Sequence, residues 1–149
     1  MSPREPLRIM VAVDDSPAAM AAVRVAVDLA VRMSASLRFV HVLGDGELVR
    51  LLGEADHDNR LEERRSRAAA SLLRHVAAEG RAAGVEADTA NLEGDPAALL
   101  LAQARDWNAD LIVLGRSDAR VAGRPYVGTL TQRVLEFSER PVVVVPRPR

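Results

Sequence analysis

A glycine-containing loop near the end of the sequence has the residue types that bind phosphate. It reads LGRSDARVAGRPYVGT and spans residues 114–129. Gly115 ends an apolar run, and Gly128 and Thr129 precede a segment with a helical pattern. Free N–H groups at a helix start attract anions, and glycines let the backbone approach them closely. The loop also contains the arginines Arg116, Arg120 and Arg124. Because glycines at such positions suit ordinary turns as well, a phosphate site and a surface turn both remain open.

A second group of chemically capable residues follows the first apolar run. Asp14, Asp15 and Ser16 come directly after it, and His41 lies near the end of the next apolar run. An aspartate pair after a strand is typical of phosphoacceptor receiver domains, but those need a lysine, which this sequence lacks. A Ser16–His41–Asp14 hydrolase triad is disfavoured, because the GxSxG turn is missing and a histidine within an apolar strand usually packs in the core. The other histidines are too isolated to form a metal site.

Composition excludes several classes of function. The chain has 149 residues and no cysteine, and all 20 of its basic residues are arginine. Thiolate chemistry, Schiff bases and Walker-type phosphate binding are therefore excluded. A net charge of −1 gives no field that would gather nucleic acid or anionic lipid, and no apolar stretch is long enough to span a membrane. We expect a single domain over residues 1–149, located in the cytoplasm, with no nucleic-acid or membrane partner.

The elements that position these residues alternate between short apolar strands and longer helices. Strands are predicted at 7–13, 36–42, 85–92, 109–115 and 141–146. Helices are predicted from Pro17, from about Asp58 to Ala83, from Pro96 and at 129–138. Ser16 and Asp95 are the expected N-caps, each followed by proline at the first helical position. Residues 43–56 are predicted to form a loop.

Strict alternation of five strands and four helices predicts an α/β fold, a three-layer doubly wound sandwich around a parallel sheet. Ligands of such sheets bind beyond the carboxyl ends of the strands, at the point where the strand order reverses. That edge is expected to receive Asp14, Val42, Gly115 and the start of the last helix. The candidate phosphate loop and the acidic turn therefore belong to one predicted site.

The sequence resembles the universal stress protein family over nearly its whole length. The late signature of that family is glycine, two residues, glycine, nine residues, then glycine with serine or threonine, a short helix and a PVLVV-like strand. Gly115, Asp118 in place of the second glycine, and Gly128-Thr129 keep this spacing, and RPVVVVP follows the helix. Three earlier segments also match the family: VAVDDS, FVHV and GDPAALLLAQARDWNADLIVLG.

The resemblance implies both a strand order and a nucleotide site. The fold is implied to be a five-stranded parallel sheet of order 3-2-1-4-5 with four helices, like that of the adenine-nucleotide alpha hydrolases. Family members that bind ATP use the aspartate after the first strand for the nucleoside, a valine backbone for adenine and the glycine loop for the phosphates. The residues implied to bind the nucleotide are Ala12, Asp14, Val42, Leu114, Gly115, Ser117, Asp118, Gly128, Thr129 and Leu130.

Asp118 is the departure from the family pattern that bears most on ATP binding. A carboxylate about 4 Å from a phosphate, at an effective dielectric of about 20, costs on the order of 4 kcal/mol, enough to remove micromolar affinity. A Mg²⁺ or Mn²⁺ ion between the two groups would reverse the sign, since hard cations bind carboxylate and phosphate oxygens together. Neighbouring arginines are a second means of compensation.

Two functions of different classes follow. The first is a stress-response or regulatory module that binds ATP or a related nucleotide with little or no turnover, at most as a slow ATPase. The alternative is an ATP-independent dimeric stress-response protein of the same fold that acts through protein contacts. For either function, the resemblance implies a homodimer through the last strand, from Pro141 to Pro146, because a long apolar edge strand pairs readily.

Overall fold

The computed structural model describes residues 5–44, 60–116, 120–121, 124–125 and 128–148 of the chain. The strands are β1 (Arg8–Ala12), β2 (Ser36–Leu43), β3 (Ala87–Glu93), β4 (Leu111–Gly115), β5 (Arg120–Val121), β6 (Arg124–Pro125) and β7 (Val142–Val145). The helices are α1 (Pro17–Met33), α2 (Arg60–Ala82), α3 (Pro96–Asp106) and α4 (Thr129–Phe137).

The main sheet is parallel and has the strand order β3-β2-β1-β4-β7. Counting only these five strands, the order is 3-2-1-4-5, which confirms the predicted fold class. The order reverses between β1 and β4, so the cleft between the carboxyl ends of these two strands is the expected ligand position. Among the described helices, none is long and apolar enough to cross a membrane.

The structure contains a short hairpin, formed by two strands of two residues each, that the sequence analysis did not predict. β5 and β6 pair antiparallel, with Arg120 opposite Pro125 and Val121 opposite Arg124. The pair lies within the candidate phosphate loop and is too short to leave a hydrophobic pattern in the sequence. The predicted loop at 43–56 lies almost entirely outside the described residues.

Two hydrophobic clusters fill the space on opposite faces of the sheet. One is formed with α1 and α2 and contains the buried Phe39 and Val76. The other is formed with α3 and α4 and contains the buried Leu100, Ile112 and Val134. Small residues dominate the buried face of α1, which lets this helix approach β4 and β7 closely.

The N-caps of α1 and α3 follow the sequence prediction. Ser16 Oγ accepts a hydrogen bond from Ala19 N at 3.1 Å, and Asp95 Oδ2 accepts one from Ala98 N at 3.1 Å. Proline occupies the start of both helices, where no N–H is needed. These caps fix the points at which the two helices begin, and both starts lie at the carboxyl edge of the sheet.

Trp107 packs at the opposite edge of the sheet, between two arginine side chains. Arg38 and Arg8 place their guanidinium carbons 4.8 Å and 5.8 Å from the centre of the indole ring. Arg8 Nη1 also donates to the Trp107 carbonyl at 2.7 Å. Arg38 donates two hydrogen bonds to Asp88, at 2.7 Å and 3.0 Å, and this interaction raises the pKa of Arg38. The cluster ties the end of α3 to β1, β2 and β3.

Candidate functional site

A cavity of about 490 Å³ opens at the carboxyl edge of the sheet, where the strand order reverses. This volume lies within the range of about 300–1,000 Å³ that is usual for small-molecule sites. The described residues that line it are Ala12, Val13, Asp14, Ser16, Ala18, Ala19, Val40, Val42, Pro96, Leu100, Leu114, Gly115, Arg116, Gly128, Thr129, Leu130 and Thr131.

Most residues implied by the sequence lie together in this cavity. The lining includes Ala12, Asp14, Val42, Leu114, Gly115, Gly128, Thr129 and Leu130. Ser117 and Asp118 lie outside the described residues. Sequence reasoning missed the contributions of Pro96 and Leu100 from α3 and of Thr131 from α4. No local signal in the sequence identifies these three, because they reach the cavity only through the packing of α3 and α4 on the sheet.

Asp14 and Ser16 form a fixed polar turn between β1 and α1. Ser16 N donates to Asp14 Oδ1 at 2.7 Å, while Ser16 Oγ caps α1. The carboxylate is exposed, and its second oxygen makes no hydrogen bond within the described residues. Asp14 therefore presents an acceptor to the cavity in a defined orientation, which suits a ligand that donates hydroxyl hydrogen bonds.

The structure gives Gly115 a packing role that the sequence does not reveal. A Cβ placed on Gly115 would lie 2.5 Å from the carbonyl carbon and oxygen of Ala18 and 2.8 Å from Ala19 N. These are backbone atoms in the first turn of α1, so they cannot rotate away. Glycine is therefore required here for the contact between β4 and α1, whether or not a phosphate also approaches it.

Thr131 joins the start of α4 to the end of β4. Its side chain is 4% exposed, and its hydroxyl donates to the Gly115 carbonyl at 3.3 Å. Arg116 N donates to the Val145 carbonyl at 2.7 Å, which continues the pairing of β4 with β7. The residues at the end of β4 are thus held by α1, α4 and β7 at once.

Thr131→Val is expected to lower the free energy of unfolding by about 1 kcal/mol, because it removes a buried hydroxyl that is hydrogen-bonded. Thr131→Ser keeps the donor and is expected to retain that hydrogen bond. Urea denaturation followed by circular dichroism measures both variants. Equal stabilities of the valine variant and the wild type would contradict the proposed link between α4 and β4.

The cavity changes in character along the order of the strands. On the β2 side it is apolar, with Val40, Val42 and Leu100. At β1, in the middle, it is acidic because of Asp14, and on the β4 side it contains Arg116. The start of α4 lies on the β4 side and has no side-chain N-cap, unlike α1 and α3. Its first-turn N–H groups and the positive end of the helix dipole add to the positive charge there.

A smaller cavity of about 340 Å³ adjoins the first and shares Asp14 and Val42 with it. Its other described lining residues include Asp15, His41 and Arg65. The Nδ1 atom of His41 lies 3.3 Å from Asn91 Oδ1 and is hydrogen-bonded to it. His41 is therefore hydrogen-bonded within the sheet, but it is half-buried at a cavity and not packed in the core as the sequence analysis predicted. Within the described residues, no group of three or more histidines or carboxylates is arranged to hold a metal ion.

The sheet order and the cleft define a doubly wound α/β protein with a ligand-sized cavity at its switch point. The model of the universal stress protein family matches residues 7–146, and the chain therefore belongs to that family. Universal stress protein MJ0531 of Methanocaldococcus jannaschii is 27% identical over 144 residues, which cover 95% of this chain and 83% of that protein.

Two solved structures share the fold at low sequence identity. One is a universal stress protein from Archaeoglobus fulgidus in complex with dAMP, with a TM-score of 0.68 and 23% identity over 93% of this chain and 97% of the other. The second is a universal stress protein family protein from Arabidopsis thaliana with AMP bound, with a TM-score of 0.69 and 19% identity over 96% of this chain and 93% of the other.

Proposed function

We propose that the cavity binds an adenine nucleotide and that the protein acts as a nucleotide-responsive regulatory module of stress physiology. The observation that carries this proposal is the order of apolar, acidic and cationic walls along β2, β1 and β4. A nucleotide has the same order of base, ribose and phosphate. The two fold relatives with bound dAMP and AMP support adenine as the base.

The spacing of the strands fits this placement. Neighbouring strands lie about 4.8 Å apart, so β2 and β4 are separated by about 10 Å across β1. In the proposed complex, the base packs against Val42 and Leu100, and a ribose hydroxyl donates to the free oxygen of Asp14. The phosphate then lies on the β4 side, next to Gly128 and Thr129 at the start of α4.

Little or no catalytic turnover is part of the proposal. Of the described residues that line the cavity, Asp14 is the only carboxylate and none is a histidine. Asp14 already accepts the Ser16 N–H, and in the proposed complex it faces the ribose rather than the phosphates. No described group is therefore positioned as a general base for water at the γ-phosphate, and any ATPase activity is expected to be slow.

Asp118 determines which of two functions applies. If its carboxylate faces the phosphates without a cation, ATP is repelled and the protein acts through protein contacts instead. If Mg²⁺ or Mn²⁺ bridges the carboxylate and the phosphates, ATP binding becomes dependent on the metal. The second case is compatible with the family signature, because the remaining glycines Gly115 and Gly128 are both present.

Titration of the wild type with a fluorescent ATP analogue, with and without Mg²⁺, tests these two cases. Asp118→Asn and Asp118→Gly separate charge from size, since only the glycine variant also removes the side chain. Repulsion predicts that, in the absence of metal, both variants bind ATP at least about a hundredfold more tightly than the wild type does. Bridging predicts that both variants lose the effect of Mg²⁺. Absence of saturable adenine-nucleotide binding in all three proteins would contradict the nucleotide function.

A homodimer through β7 is the second part of the proposal. Within the described chain, β7 is an edge strand with one free side, and all four of its residues are valine. A few residues before β7 in the sequence, the end of α4 exposes Leu135 and Phe137, the latter to 62%. Pairing of β7 with its copy would satisfy the open backbone groups of the edge strand. This surface is also the contact that the ATP-independent function would use.

A further inference from the structure

We infer that Arg116 selects the ligand of this cavity by its phosphate, so that a nucleoside phosphomonoester binds and the neutral nucleoside binds only weakly. This inference rests on the proposed function and extends it to the recognition of charge. Among the described residues that line the cavity, Arg116 is the only one with a cationic side chain. It lies on the β4 side of the cavity, where the proposed orientation of the nucleotide places the phosphate.

The backbone of Arg116 is held in place from three directions. Its N–H donates to the Val145 carbonyl at 2.7 Å, and the preceding residue, Gly115, packs directly against the first turn of α1. Thr131 also donates to the Gly115 carbonyl. Because the main chain is fixed on all these sides, the Arg116 side chain starts from a defined position at the cavity lining, and little ordering of the backbone is needed on binding.

The guanidinium of Arg116 has no ionic partner in the described part of the chain. The residue is exposed, and the ion pairs of the described residues involve other arginines. Arg133 on α4 is a direct comparison, since its Nη1 lies 3.6 Å from Asp95 Oδ1 and its charge is already paired. No described carboxylate therefore occupies the donors of Arg116, and a guanidinium suits the oxygens of a phosphate.

The nature of the preferred phosphate follows from charge. One guanidinium can form two parallel hydrogen bonds to a terminal phosphate, and a dianion is a better acceptor than a monoanion. Phosphomonoesters lose their second proton near pH 6, so affinity that depends on Arg116 should increase from pH 5 to pH 7. Because the arginine is exposed, the interaction is screened, and the preference should shrink as salt is raised from 0.1 M towards 1 M.

Calorimetric titration of AMP and adenosine into wild type, Arg116→Gln and Arg133→Gln tests the inference. Arg116→Gln is expected to weaken the binding of AMP about tenfold, which is the lower end of the range for a charged hydrogen bond at an exposed site. The affinity for adenosine should stay within about twofold of the wild-type value. Arg133→Gln removes the same charge from α4 but not from the cavity lining, so both ligands should bind as to wild type. Arg116→Lys should recover part of the AMP affinity, because it keeps the charge without the planar fork.

The titrations distinguish a failure of this inference from a failure of the proposed function. Equal weakening of AMP and adenosine by Arg116→Gln would assign the residue a structural role and overturn the inference, while nucleotide binding would stand. An unchanged AMP affinity, or equal effects of the Arg116 and Arg133 variants, would overturn it as well. If the wild type binds neither AMP nor adenosine, the inference is wrong, whereas the nucleotide function is contradicted only if the Asp118→Asn and Asp118→Gly variants also fail to bind an adenine nucleotide.

Discussion

Gly115→Ala is expected to lower the free energy of unfolding by about 3 kcal/mol or more. Overpacking of a core typically costs about 1–3 kcal/mol, and here the added methyl group would meet backbone rather than a movable side chain. Its distance to the carbonyl of Ala18 would be 2.5 Å, so the start of α1 or the end of β4 has to shift. For a domain of this size, the loss corresponds to a decrease of roughly 6–12 °C in Tm.

The same shift is expected to damage the cavity. The start of α1 follows the Asp14–Ser16 turn, and Arg116 follows Gly115 directly. Displacement of either element moves the acidic and cationic walls relative to each other, so AMP binding should weaken along with stability. If Gly115 served only to admit a phosphate, binding would decrease while the stability of the ligand-free protein stayed unchanged. Thermal unfolding without ligand separates these two roles.

Gly44→Ala is the matched control for this variant. Gly44 also follows the end of a strand at the carboxyl edge, but among the described residues, apart from its chain neighbours, a Cβ there would have no atom within 4 Å. The free energy of unfolding of the Gly44→Ala variant should match that of the wild type to within about 0.5 kcal/mol or increase slightly, because alanine restricts the unfolded chain. A Gly115→Ala protein as stable as Gly44→Ala would contradict the packing role.

The fold was predictable because its signals are local. Short β-branched runs, helical periodicity and the serine-proline and aspartate-proline starts each lie within a few residues of one another, and alternation of the elements then leaves few topologies. The observed strands begin or end one or two residues inside several predicted limits, as at Arg8–Ala12 and Val142–Val145. The hydrophobic pattern does not end at the same residue as the strand pairing, so it predicts the first and last residues of a strand least well.

The candidate site was predictable only in part, because strand ends are local features and helix packing is not. Asp14, Val42 and Gly115 could be placed at one edge from the rule for parallel sheets alone. Leu100 could not, since it reaches the cavity by the packing of α3 against β2. The contact of Gly115 with Ala18 joins residues that are far apart in sequence, and glycine after a strand has many other causes.

The open side of β7 can be assigned to individual backbone groups. Ile112 N donates to the Pro141 carbonyl and Arg116 N to the Val145 carbonyl, so the odd-numbered residues of this segment face β4. Successive residues of a strand point their backbone groups in opposite directions, and Val144 therefore directs its N–H and carbonyl away from β4. These groups are available to a second copy of the chain.

Val144→Pro is expected to convert the proposed dimer into a folded monomer. Proline removes the outward N–H of the edge strand without removing a hydrogen bond to β4, and prolines are tolerated at such positions. Val144→Thr is the matched control, because threonine is also β-branched and keeps the N–H. Light scattering at micromolar concentration should give twice the chain mass for wild type and Val144→Thr, and the chain mass for Val144→Pro. Circular dichroism should show that the proline variant keeps its fold. A monomeric wild type would overturn the dimer, and a dimeric Val144→Pro protein would place the interface on another surface.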